Sequence, residues 1–181
     1  MGRAKRANAD LDVLLADDNP RAILWSLRAS AYLGMNEPQR AIADLNKAMD
    51  DDPGRFDLLT KRATAYELAG NWAAALRDFD TILGPIGGAP KYALGGDELA
   101  KYRTRRAFLL VRFNRFADAA SEMADALATG GRTALLRAQL FLRQHGFPET
   151  PLDGRDSDSL RSELQACFGL NSCFVQISEE L

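Results

Sequence analysis

The apolar positions of this chain fall in short helical runs, each too narrow to bury itself. The stretch 62–83, RATAYELAGNWAAALRDFDTIL, reads as two amphipathic helices around a turn at Gly70. The same pattern stands 34 residues upstream, at 28–49, as RASAYLGMNEPQRAIADLNKAM. A self-similar period of this length marks a helical repeat. Arg28, Ala29, Ala31 and Tyr32 align with Arg62, Ala63, Ala65 and Tyr66. Ala41, Asp44 and Ala48 align with Ala75, Asp78 and Ile82, and Leu45 with Phe79. The alanines sit where two helices must approach closely, and the aromatics fill the holes between them. A third set, Arg106, Ala107, Leu110, Ala119, Met123 and Ala126, begins 44 residues after Arg62, ten more than the period. At the other end, ADLDVLLADDNPR (9–21) aligns with ADLNKAMDDDPGR (43–55). The chain therefore opens in the second helix of a repeat. It is expected either to be a fragment of a longer protein or to carry an improvised cap at 1–9.

This periodicity predicts helices near 5–16, 21–34, 38–50, 56–69, 72–83, 98–113, 117–128, 133–144, 159–168 and 172–180. Asp17-Asp18-Asn19-Pro20 is a turn, and Pro38 suits a first-turn position where its missing N–H costs little. Gly70, and Asn36 in the equivalent place, can take a left-handed turn conformation. Asp97 and Ser157 are candidate N-caps, and Thr129-Gly130-Gly131 is a stop. The ten surplus residues fall at 84–97, which holds five Gly and two Pro and reads as a loop. Long loops in compact domains are often functional or disordered, so this one is expected to be mobile, with Tyr92 and Leu94 folding over as a lid. After Gly146 the repeat logic fails in a Pro- and Gly-punctuated segment.

The aligned residues follow the W-x2-L-G-x2-Y…A-x3-F…P logic of the tetratricopeptide repeat, and the chain strongly resembles that family. Ala29 and Ala63 take the small position of the first helix, Tyr32 and Tyr66 the large one. Ala41, Ala48, Ala75 and Ile82 take the small positions of the second helix, and Pro53 closes the first copy. The resemblance implies an all-α fold, a right-handed α-α superhelix of about three helical hairpins with a divergent C-terminal helical cap. The solenoid would occupy 1–131, with a partial repeat at 1–20 and repeats near 21–54, 55–97 and 98–131; the cap would occupy 132–181.

In this family the first helices line a concave groove that takes extended peptides or partner helices. Carried over, the groove holds Ile23, Ser26, Leu27 and Ser30, then Asp57, Thr60, Lys61 and Thr64, then Lys101, Thr104, Arg105, Phe108 and Arg112. One end is small and hydroxylated, the other basic with one aromatic. The expected partner is another protein or peptide offering an extended or acidic segment. A second copy of the chain, meeting the truncated first repeat, is the further partner expectation. Lys101 and Arg105 match two basic positions of a subfamily that clamps a chaperone's terminal carboxylate. Ser26, Ser30 and Lys61 replace the remaining clamp residues, so that activity is not implied.

The tail carries a second resemblance. AQLFLRQHGF…TPLDG…SLRSELQACF is similar to a small peptidoglycan-binding domain through Gln139, Leu142, Gly146, Phe147, Leu152, Asp153, Gly154, Leu160, Leu164 and Phe168. It departs at Arg155-Asp156-Ser157-Asp158, one residue shorter than the family's F-G-x-x-T turn. The resemblance implies a cell-envelope protein with a peptidoglycan-associated tail. The alternative is a helical pair that caps the end of the solenoid.

Composition narrows the rest. The 181 residues fit one domain or one solenoid with an end cap. An apolar share of 46% and a charged share of 27% are those of an ordinary soluble globular protein. A net charge of −2 gives no electrostatic footprint for nucleic acid. No run of apolar residues is long enough to span a membrane. MGRAKRANAD has basic residues with no apolar stretch behind them, so no signal peptide is visible. As it stands the chain reads as cytoplasmic; a removed leader would make it periplasmic. Cys167 and Cys173 are either two small apolar residues of a terminal helix pair or a short disulfide in an oxidising compartment. His145, the only histidine, reads as a helix-terminal cation or a packed side chain. Neither a metal-ligand cluster nor a catalytic motif is present, so no enzyme, metal or cofactor is expected.

Overall fold

The computed structural model describes residues 2–16, 21–170 and 173, and among these it forms helices and no strand. The fold class is all-α. The described helices are α1 (Gly2–Leu14), α2 (Ala22–Gly34), α3 (Pro38–Asp51), α4 (Phe56–Leu68), α5 (Trp72–Leu83), α6 (Gly96–Arg112), α7 (Phe116–Thr129), α8 (Gly131–Gln144) and α9 (Asp158–Gly169). The predicted turn at 17–20 and all but Cys173 of the predicted helix at 172–180 lie outside the described residues. Two expected boundaries move. Gly95, not Asp97, precedes α6 as its N-cap, with no side-chain hydrogen bond. Asp97 and Glu98 fall inside the first turn, where their charge opposes the helix dipole favourably. The expected stop at Thr129-Gly130-Gly131 shrinks to Gly130 alone, because Gly131, with φ of 74°, already opens α8.

The turns repeat in detail. Asn36, Gly70 and Asn114 all take left-handed backbone, with φ of 58°, 72° and 57°. Asparagine is among the few residues besides glycine that visit this region routinely. The residue after each turn closes the same bond to a carbonyl five back. Glu37 N donates to Tyr32 O at 2.9 Å, Asn71 N to Tyr66 O at 2.8 Å and Arg115 N to Leu110 O at 3.0 Å. This is how a helix ending on a left-handed residue satisfies its last carbonyls.

The chain divides into two compact units, Met1–Ile82 and Leu83–Leu181. In the first, α1 packs on α2, α2 on α3 and α3 on α4, and α2 also reaches α4. Its core is built from Ala29, Ala41, Leu45, Ala48, Leu58 and Ala65, all fully buried, with Tyr32 and Ala22 nearly so. Trp25, Leu33, Met35, Ile42 and Met49 close its edges. Small residues at the crossings let the backbones approach, which leaves no room for extra methylenes. In the second unit α6 packs on α7, α7 on α8, and α9 returns to lie mainly against α7. Ala107, Leu110, Leu142, Leu160 and Leu164 are fully buried there, and Phe168 nearly so. Ser157 caps α9 as its sequence position predicts, its Oγ accepting from Leu160 N at 3.2 Å.

Candidate functional site

Each hairpin is locked by a guanidinium that spans two helices. Arg28 donates through Nε and Nη2 to the two carboxylate oxygens of Asp44, at 2.7 and 2.8 Å. Arg62 does the same with Asp78, at 2.9 and 2.7 Å. Arg106 meets Glu122 at 3.1 Å through Nε and at 2.7 Å through Nη2. In every case the acid stands 16 residues after the arginine. Fork-to-fork pairs of this kind are strong and geometrically specific. The Asp44 hydrogen bond holds the Arg28 guanidinium above its ordinary pKa, and the Asp78 bond does so for Arg62. The remaining nitrogen, Nη1, reaches Asp12 at 2.7 Å from Arg28 and Asn46 at 2.9 Å from Arg62. Both partners lie one helix back. The clamps set how each first helix stands on its second, and so which side chains each first helix presents.

In the first unit this places the expected groove residues unevenly. Ser26 is fully buried, and its Oγ accepts from Lys61 Nζ at 2.7 Å. Ser26 and Lys61 therefore engage each other across α2 and α4, and Ser26 is corrected from a surface hydroxyl to a buried acceptor. Ser30 is exposed, yet its hydroxyl donates to Ser26 O at 3.0 Å. Thr60 donates to Asp57 O and Thr64 to Thr60 O, each at 2.9 Å. These hydroxyl protons are used within the helix, which leaves the oxygens as acceptors only. Ile23 and Leu27 are exposed apolar neighbours one turn apart on α2. Asp57 is bound by Arg55 at 2.7 and 3.0 Å, and that bond holds its carboxyl below the ordinary range.

In the second unit a cleft of about 450 Å³ lies along α6, closed by the end of α7 and the start of α8. Lys101, Thr104 and Arg105 line it, with Ala100, Ala126, Leu127 and Ala134 as its apolar wall. Lys101 is exposed and Arg105 half-buried. Phe108, half-buried, and Arg112, exposed, lie further along α6 and outside this lining. A cleft with an apolar wall and two cationic side chains can hold an extended chain and an acidic group together.

The loop after α5 is more firmly held than its composition implies. Arg106 Nη1 donates to Gly84 O at 2.6 Å, and Arg103 Nη2 to Gly88 O at 3.1 Å. Both arginines are buried. Arg103 also pairs with Asp125 at 2.5 Å and Glu122 at 3.4 Å. Asp125 in turn accepts from Arg161 of α9 at 2.7 Å, and Arg161 donates to Ser121 Oγ at 3.0 Å. A chain of charges thus ties the loop, α6, α7 and α9. Its first half is anchored, against the expectation of a loop with few fixed contacts. Tyr92 and Leu94, the expected lid, are both half-buried, and Lys91 Nζ stands 5.7 Å from the Tyr92 ring.

In the tail, Gln139 is fully buried and clasps the segment 153–155. Its Nε2 donates to Asp153 Oδ1 at 2.8 Å and Arg155 O at 3.2 Å, while its Oε1 accepts from Gly154 N at 2.8 Å. The Gln139 bond, and then the one from Arg155 N, hold the Asp153 carboxyl below its ordinary range. Leu152, by contrast, is exposed. His145 stacks on Phe141, ring centroids 4.1 Å apart, with Nδ1 2.8 Å from Phe141 O. Cys167 and Cys173 are joined in a disulfide, with Cα atoms 5.3 Å apart. Among the described residues no His, Cys, Asp and Glu side chains gather as a metal site, and no helix is long and apolar enough to cross a membrane. No protein-family model matches the chain, and no curated protein matches it.

Proposed function

We propose that the chain is a non-enzymatic binding scaffold of tetratricopeptide type, a right-handed superhelix of about three hairpins with a divergent helical cap. It takes an extended or acidic peptide segment of another protein on its first-helix face. The architectural part of the reading is supported by the recurring left-handed turns, the buried alanines Ala29, Ala63 and Ala107, and the arginine-to-acid clamps. The observation that carries the functional part is the cleft on α6, where Lys101 and Arg105 stand beside an apolar wall. A partner carboxylate pairs with the cations while its neighbouring apolar side chain meets Leu127 and Ala134.

The test is fluorescence polarisation with a labelled acidic peptide, comparing the native chain with Lys101→Glu plus Arg105→Glu. Unchanged circular dichroism is checked first. Affinity falls by at least tenfold, about 1.4 kcal/mol, and its salt dependence weakens. Equal binding by the reversed variant sinks the proposal for this cleft.

A second reading has one observation in its favour. The Cys167–Cys173 bond fits an oxidising compartment, since such bonds form and persist there. On that reading the chain is a cell-envelope protein with a peptidoglycan-associated tail. Co-sedimentation of the full chain with purified wall sacculi decides it: a chain that stays in the supernatant loses this role.

A further inference from the structure

A second cleft, away from α6 cations and clamps alike, lies where the tail segment 153–155 runs along α8. It measures about 260 Å³ and is lined by Arg132, Asp153, Gly154 and Arg155. Typical sites for drug-sized ligands hold roughly 300–1,000 Å³, so this one suits a smaller group. Arg132, Leu136 and Gln139 share one face of α8, at four and three residues' spacing. Gln139 fixes the opposite wall through its three bonds to 153–155.

The wall is also close. Gly154 has φ of 65°, and a Cβ there would stand 2.5 Å from Arg132 Cγ and 3.0 Å from Leu136 Cγ. Only glycine lets the segment lie against the Arg132 stem, and Arg132 and Arg155 both line the cleft. Among the described residues neither guanidinium is ion-paired, whereas Arg28, Arg62, Arg103, Arg106 and Arg161 all find acids. Asp153 uses Oδ1 for both of its hydrogen bonds, from Gln139 and from Arg155 N. Its Oδ2 takes part in neither of these bonds, and the residue lines the cleft.

We infer that this cleft is a binding site for a small α-amino dicarboxylate. The lining carries two positive charges and one negative, a balance of +1. A ligand with two carboxylates and one ammonium carries −1 and matches it. Arg132 and Arg155 each take a carboxylate in the planar, two-pronged manner that guanidinium favours. The ammonium donates to Asp153 Oδ2. A monocarboxylic amino acid leaves one arginine unanswered, and a dicarboxylate without the ammonium forgoes the bond to Asp153 Oδ2. The inference is independent of the groove proposed above, because Lys101 and Arg105 take no part in it.

The experiment is a titration of the full isotope-labelled chain, following the Gly154 and Arg155 amide resonances, with glutamate, succinate, glycine and inorganic phosphate as probes. Glutamate gives saturable shifts in the millimolar range, and Arg132→Gln or Arg155→Gln weakens them about tenfold. Both arginines are exposed, so these variants keep the fold. Asp153→Asn keeps its acceptor for Gln139 but loses the preference for glutamate over succinate. Absent or non-saturating shifts with glutamate overturn the inference. So does phosphate or succinate binding as well as glutamate, and so does glutamate binding that survives both arginine substitutions.

Discussion

Arg106 and Glu122 form an ion pair sealed on both sides, their side chains 1% and 0% exposed. The equivalent arginines Arg28 and Arg62 are 16% and 21% exposed. The third clamp is thus the one that sits deepest. A buried pair contributes little over a well-packed apolar pair, because desolvation offsets most of the attraction, yet losing one member is costly. Glu122→Ala should lower stability by about 3–5 kcal/mol in urea titration, by stranding the buried Arg106 charge; Arg103 keeps Asp125. Arg106→Met combined with Glu122→Leu should recover most of that loss. A double variant as weak as the single one would show that the pair itself, and not the stranded charge, carries the stability.

The close crossings make a second prediction. Phe79 and Ala63 are both fully buried. Phe79→Ala should cost about 3–5 kcal/mol through the cavity it leaves. Ala63→Leu should cost about 1–3 kcal/mol through overpacking. Thermal melts with unmoved midpoints would place these residues outside the core.

Asp57 supplies a pH dependence with a defined sign. Its carboxyl is held below the ordinary range, first by the hydrogen bond from Arg55. A group with a lowered folded pKa stabilises fully above its unfolded value and loses that contribution as pH falls through the folded one. Acid titration of the native chain should therefore show a loss below the usual carboxylate range that is shallower in Asp57→Asn. The side chain is 38% exposed, so the difference is small and screened by salt. Superimposable acid limbs would remove Asp57 from the account.

The tail disulfide is the fourth test. Closing a loop over a sequence separation of six gives about 2–3 kcal/mol by the chain-entropy argument. Reductant should lower the melting temperature of the natively produced chain, and Cys167→Ser should make the melt insensitive to it. Free thiols in unreduced native protein would remove both the effect and the main support for the envelope reading.

The helical period made most of the fold legible. It located α2 to α5 to within two residues at each end, the left-handed Asn36 and Gly70, and the buried Ala29, Ala63 and Ala107. The clamps were equally present in the alignment, since Arg28, Arg62, Asp44 and Asp78 were already in register. A charged pair recurring on the apolar side of two helices is itself a sign of burial with a partner, and that sign rather than the letter match identifies the clamp. The spacing of Ser26 does not place it, because the amine that covers it comes from Lys61 on α4. The anchoring of the loop was invisible for another reason. Its acceptors are the carbonyls of Gly84 and Gly88, and backbone oxygens leave no mark in a sequence.

One atom of the recurring arginine has a wider consequence. Its Nη1 meets a carboxylate at Asp12, an amide at Asn46 and a peptide carbonyl at Gly84. The same nitrogen is thus satisfied by three different kinds of oxygen. A joint so indifferent to its plug tolerates changes in the length of chain leading up to it. The ten extra residues before the third copy are one such change, seated at the same nitrogen. Lengthening the chain just before an arginine of this kind should therefore leave the clamp that follows it intact.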